Sequence, residues 1–174
     1  AIGKCGGYVS DIADGIRWAA GLPVAGVPAN PNPAQVINLS LAVPTLGACD
    51  TAFKDAIQAV GQLNIPVIAA AGNNNAQASQ YAPGNCASDP AVTNLITVTA
   101  VGRNGGLPRN GQGNVYANTG APIHIAAPGG SLGAGIPLDT GNAILSVSDS
   151  GLTTPANDGG VSISIGTSYA AAHI

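Results

Sequence analysis

Ile65-Pro66-Val67-Ile68-Ala69-Ala70-Ala71-Gly72-Asn73 is a short apolar run that stops at Gly-Asn. Without polar alternation, such a run reads as a strand buried on both faces, the condition of strands in a parallel sheet. Its carboxyl end carries an amide, Asn73, and ligands of open α/β sheets bind beyond the carboxyl ends of strands. Taken alone, Gly72-Asn73 reads more readily as a turn after a strand. A second buried run, Val36-Ile37-Asn38-Leu39-Ser40-Leu41-Ala42, lies upstream. Between the two, Asp50 or Thr51 opens a helix to about Asn64, with Phe53, Ile57 and Val60 on one stripe. Ser10 and Asp11 can cap an earlier helix through Ala20, with Ile12, Ile16 and Ala19 on one face and Gly21 then Pro23 ending it. Strands are expected at Pro66–Ala71, Leu95–Val101 and Pro122–Ala126. Buried strands alternating with amphipathic helices predict an α/β fold, a doubly wound, mostly parallel sheet with helices on both faces. Ala143 to Ser164 reads as an antiparallel hairpin with its tip near Thr154–Gly159, and Gly102 to Ala121 as a surface connection.

The chain of 174 residues is long enough for one core, and no linker or repeat divides it, so residues 1–174 read as part of a single domain. Charged residues are 7% and the net charge is −3, which leaves no basic face for phosphates and argues against nucleic acid. No apolar run approaches the roughly 20 residues that cross a bilayer.

The last nine residues, Gly166-Thr167-Ser168-Tyr169-Ala170-Ala171-Ala172-His173-Ile174, place a serine where a glycine-rich stretch gives way to an alanine-rich helical run. A serine at a helix N-terminus lies beside unpaired N–H groups that stabilise an oxyanion. Gly166 removes a side chain that would obstruct a substrate.

These segments, taken in order, resemble those of subtilisin-like serine proteases, closest to the secreted bacterial branch. The family's nucleophile motif Gly-Thr-Ser-Met-Ala-(Ala/Ser)-Pro-His-Val matches Gly166–Ile174, with Tyr169 for Met and Ala172 for Pro. Its Ala-Ala-Gly-Asn matches Ala70–Asn73, and its Val-Ile-Asn-Met-Ser-Leu-Gly matches Val36–Ala42, with Ala42 for Gly. Its Val-Asp-Val-Ala-Ala-Pro-Gly matches Ile123–Gly129, with His124 for Asp, and Lys4-Cys5-Gly6-Gly7-Tyr8 matches the branch's Lys-Cys-Gly-Gly-Tyr. The resemblance implies an incomplete catalytic domain of a secreted endopeptidase. Ser168 would be the nucleophile, Asn73 the oxyanion donor and Thr167 its support. Ser40, Leu41 and Ala42, with Ala70, Ala71 and Gly72, would lie along a protein or peptide substrate held by main-chain hydrogen bonds.

In this family the triad runs Asp, His, Ser along the chain, and no His-Gly-Thr-His-like motif precedes Ser168. His124 and His173 are the two histidines. His173, five residues past Ser168 on a helix, is misplaced to act as its base and reads as a packed structural residue. His124 reads as a strand-end residue meeting solvent or a backbone carbonyl. A serine without a base is a poor nucleophile, so these residues alone are expected to be nearly inactive. With Ala first and no methionine, the chain is expected to be a piece of a longer precursor. Its upstream part would hold a signal peptide, a pro-segment, the first strands and the triad Asp and His.

The cysteines are Cys5, Cys49 and Cys86. They could be three buried thiols. In a secreted chain a disulfide is expected instead, Cys49–Cys86, since adjacent strands can bring the loops after Ala42 and Asn73 together, with Cys5 pairing upstream. Catalysis by the family needs no cofactor. Relatives often bind structural calcium through the Asp of the motif at Ile123–Gly129, but His124 is a poor ligand for a hard cation. Asp139 and Asp149 could serve elsewhere, or be solvated loop residues. Two other readings are a catalytically inactive binding or scaffolding relative, and a secreted β-solenoid adhesin suggested by the Gly/Ala/Asn/Ser bias. The second lacks a repeat period.

Overall fold

The computed structural model describes residues 6–132, 142–151, 154, 156 and 159–174. Lys4, Cys5, Asp139 and half of the expected hairpin tip lie outside the described residues.

Four parallel strands form the central sheet: β1 (Ile37–Leu39), β3 (Val67–Ala70), β5 (Leu95–Val101) and β6 (Ile125–Pro128), in the spatial order β1-β3-β5-β6. Strands β2 (Val43–Pro44) and β4 (Tyr81–Ala82) make a short antiparallel pair beside it, and β7 (Ile144–Ser148) pairs antiparallel with β8 (Gly160–Ser164). The helices are α1 (Val9–Ala19), α2 (Thr51–Gly61) and α3 (Thr167–Ala171). Successive side chains of a strand point to opposite faces, and the sheet uses both. Val67 and Ala69 face α1 and α2, packing with Ile12, Ile16, Phe53, Ile57 and Val60. Ile68 and Ala70 face the other way, against Val98, Ala100, Ala127, and Ala170 and Ala171 of α3. Phe53 and Ile57 are fully buried, each stabilising by about 1.5–3 kcal/mol relative to exposure. The doubly wound α/β arrangement is present, and it is not a solenoid.

Element ends differ from expectation for local reasons. Helix α1 begins at Val9 with Tyr8 at the N-cap and no side-chain cap, so Ser10 and Asp11 fall inside the first turn rather than before it. Asp50 does cap α2, its carboxylate accepting the Ala52 N–H at 2.9 Å. That helix closes at Gly61, short of Asn64, which adopts φ 58° in the turn that follows. Strand β1 covers only Ile37–Leu39, since Val36 is exposed and Ser40 leaves the ladder. Strand β6 starts at Ile125 rather than Pro122. The reason is His124, whose ring Nδ1 accepts the Thr97 N–H at 3.1 Å, so a side chain takes the place of a carbonyl in the ladder. His124 is exposed to solvent as expected, its backbone N–H donates to the Thr97 carbonyl at 2.9 Å, and its ring takes the Thr97 amide.

The segment 102–121 is not purely a surface connection. Tyr116, Ala117 and Asn118 descend into the core, with Asn118 fully buried. No helix among the described residues is long and apolar enough to cross a membrane.

Candidate active site

Three strand ends and the head of α3 meet at one corner of the sheet. Ser40 lies just past β1, Asn73 past β3 and Gly129 past β6, with Thr167 and Ser168 opening α3. Gly166 precedes that helix at φ 152°, ψ 157°, a region essentially reserved for glycine. Any other residue would strain the entry to the helix.

Asn73 is fixed by its acceptor. Its Oδ1 receives the Thr167 N–H at 2.8 Å and the Thr167 hydroxyl at 2.9 Å. The Thr167 Oγ1 in turn accepts the Gly72 N–H at 3.2 Å, so this buried hydroxyl both donates and accepts. With both Oδ1 lone pairs engaged, the Asn73 NH2 group has no protein partner among the described residues and sits on an exposed residue. An amide held this way keeps its NH2 group in place next to Gly166, 3.5 Å from where a β-carbon on that glycine would sit.

Asn118 carries the turn beneath, a role with no local signature in the sequence. Its Oδ1 accepts the N–H groups of Asn74 at 2.9 Å and Ala76 at 3.0 Å, and its Nδ2 donates to the Ala71 carbonyl at 2.8 Å. Among the described residues no buried side-chain nitrogen or oxygen lacks a partner. Tyr116 supports the next strand end, its hydroxyl 2.8 Å from the carbonyls of Gly129 and Gly130. Burial pushes that hydroxyl well above the usual tyrosine range, so it remains a donor. Gly129 binds the nucleophile segment directly, its carbonyl accepting the Gly166 N–H at 2.8 Å.

Ser168 is half-buried, and its hydroxyl donates to the Ser40 carbonyl at 3.0 Å. The Ser40 hydroxyl returns a bond to the Ser168 carbonyl at 2.8 Å and accepts from Asn38 Nδ2 at 2.8 Å. A carbonyl holds a hydroxyl in place but takes no proton from it. Helix α3 has five residues, so individual N–H groups in its first turn matter more than an accumulated dipole.

Neither histidine reaches this corner. His124 is bound to Thr97, and the His173 Nδ1 lies 3.0 Å from the Pro128 carbonyl, which requires a proton on that nitrogen. His173 is exposed, not packed, and is tied to the backbone by that bond. The two loops flanking the candidate substrate strand are stitched together. Cys49 and Cys86 form a disulfide, and Asn85 Nδ2 donates to the Gly47 carbonyl at 3.0 Å. Leu41 and Ala42 continue from Ser40 toward this stitched pair, with Ala70 and Ala71 buried beneath. Among the described residues no three His, Cys, Asp or Glu side chains gather in a metal-binding group. The His124 Nδ1 is used by the Thr97 amide, and the ring carries no oxygen that a hard cation would take.

The chain is similar to known proteins. An extracellular protease of Xanthomonas campestris pv. campestris is 40% identical over 173 residues, 99% of this chain but 25% of that protein. An extracellular basic protease of Dichelobacter nodosus is 36% identical over 173 residues, covering 99% of this chain and 24% of that protein. Among solved structures, a protease from Pseudoalteromonas arctica PAMC 21717 superposes with TM-score 0.80 at 43% identity, over 98% of this chain and 45% of that one. A cold adapted subtilisin-like serine proteinase, 24% identical, shares the fold with TM-score 0.64, over 99% of this chain and 48% of that one. The chain thus spans about a quarter of the two sequence relatives and about half of the two solved chains. The family model described as the subtilase family matches residues 1–174, and with these four motifs converging on one corner, the chain belongs to that family.

Proposed function

We propose that this chain is the nucleophile and oxyanion part of a secreted serine endopeptidase. Ser168 Oγ attacks the scissile carbonyl carbon, and the new oxyanion accepts from Asn73 Nδ2 and the Ser168 N–H. The C–N bond then breaks, leaving an acyl group on Ser168 that water hydrolyses. The base that takes the serine proton, and the carboxylate that orients it, come from the portion of the relatives' length that this chain does not span. A pro-segment belongs to that portion too. Extracellular release is supported by the relatives' names and by the Cys49–Cys86 disulfide, which suits an oxidising compartment. Substrate main chain would pair along Ser40, Leu41 and Ala42, opposite Ala70, Ala71 and Gly72.

The observation carrying this reading is the locked Asn73 carboxamide beside a hydroxyl at a helix head. In the full-length protein a fluorophosphonate should label Ser168, and Ser168→Ala should abolish both labelling and casein hydrolysis. Hydrolysis persisting in that variant would refute the role. The Ser168 hydroxyl donates to a carbonyl rather than to a base, which leaves a second reading, an inactive binding relative, and absence of labelling in the unaltered full-length protein would select it.

A further inference from the structure

A second feature of this corner lies beyond Gly129. The chain carries only 5 Lys and Arg residues and a net charge of −3. Two of those cations, Arg103 and Arg109, nevertheless line one open groove of about 750 Å³, together with Asn104, Leu107, Ser131 and Asn142. No carboxylate is among its described lining residues.

Arg109 is held in place on three counts. Its N–H donates to Ser131 Oγ at 2.9 Å, its carbonyl accepts the Leu132 N–H at 2.6 Å, and its Nη1 donates to the Gly113 carbonyl at 2.6 Å. It makes no ion pair with a carboxylate of the described residues. A guanidinium carries five N–H donors in a planar fork, so one bond to Gly113 leaves a face able to take a carboxylate.

Position connects the groove to Ser168. Ser131 is two residues past Gly129, whose carbonyl binds the Gly166 N–H, and Gly166 is two residues before Ser168. The strand order β1-β3-β5-β6 puts Ser40 at one margin of the corner and Gly129 at the other, with Asn73 between. If the acyl side of a peptide lies along Ser40–Ala42, the segment after the cleaved bond crosses toward the ends of β5 and β6. Ser131, which lines the groove two residues past Gly129, lies on that side.

We infer that this groove is a specificity subsite, with Arg109 as its principal group, for a carboxylate on the leaving side of the substrate. The carboxylate is an Asp or Glu side chain, or the free C-terminus of a short substrate. This rests on the peptidase reading above.

The test uses the full-length protein and a peptide series with Gln, Glu or Lys at each of the first four leaving-side positions. The quantity read is the ratio of kcat/KM values within each enzyme, so a general loss of activity cancels. At one position Glu should exceed Gln by about fivefold, in keeping with an exposed charge-assisted pair. That preference should shrink in high salt. Arg109→Gln should bring the ratio near one, and Arg109→Glu should reverse it in favour of Lys, which a merely structural role would not do. Cleavage of Gln peptides with no charge preference at any of the four positions overturns the subsite alone, as does an unchanged Glu preference in Arg109→Glu. Failure to cleave any peptide of the series removes the peptidase reading, and the subsite with it.

Discussion

The Asn73 side and the Ser168 side of the corner are built by different means. Asn73 is braced by a closed set of bonds through Thr167, Gly72 and Asn118, of which Thr167 and Asn118 are fully buried. Ser168 is held to Ser40 by two reciprocal bonds that stand open to solvent. Buried bonds resist competition by water, whereas exposed ones exchange with it at little net cost. One side is rigid on its own, as the proposed oxyanion stabilisation would require. The other leaves the hydroxyl accessible to a base and a substrate.

Three substitutions would break or sharpen this contrast. Asn118→Ala strikes the rigid side hardest, leaving the Asn74 and Ala76 amides and the Ala71 carbonyl unpaired. Loss of about 3 kcal/mol or more is expected in denaturant unfolding of the full-length protein. Thr167→Val keeps shape and the backbone N–H bond to Asn73 but removes the hydroxyl's bonds to Asn73 and Gly72. It should lower kcat by about 10- to 100-fold with KM little changed, and destabilise by about 1–3 kcal/mol. Equal loss in KM instead would mean that Thr167 shapes ground-state binding. On the open side, Ser40→Ala should cost no more than about 1 kcal/mol in unfolding, and a larger loss would erase the distinction drawn here.

The smallest effect lies away from the corner. A hydrogen bond from Lys54, then the Ala91 N–H, holds the Asp89 carboxyl below its usual range. A depressed folded-state value means that this stabilisation is present above the ordinary carboxylate range and lost as pH falls through the folded value. Asp89→Asn should therefore lower Tm slightly at neutral pH, and the gap from the unaltered protein should close in acid. A gap that persists there would assign the effect to packing.

What was readable in the sequence follows the range of the interactions. Apolar runs at Val67–Ala70 and Leu95–Val101 announce buried strands by composition, and Asp50 announces α2 through a bond to Ala52 two residues on. Ser168 and Asn73 were recognisable because whole motifs surround them. Asn118 was not, since its partners lie more than forty positions away and its neighbours look like loop. The start of β6 was missed for a related reason. Composition marks the strand, but the ring of His124 inserting at Thr97 decides where the ladder begins.

Gly129 sets a boundary for protein engineering. A β-carbon there would sit 2.4 Å from that of Ala100 and 2.9 Å from the Gly166 carbonyl oxygen, so even alanine would wedge β6 away from the nucleophile segment. Gly111, by contrast, has no neighbour within 4 Å of such an atom. A randomised library aimed at altered cleavage should leave the first invariant and spend its diversity at positions like the second, where a new side chain has only solvent to displace.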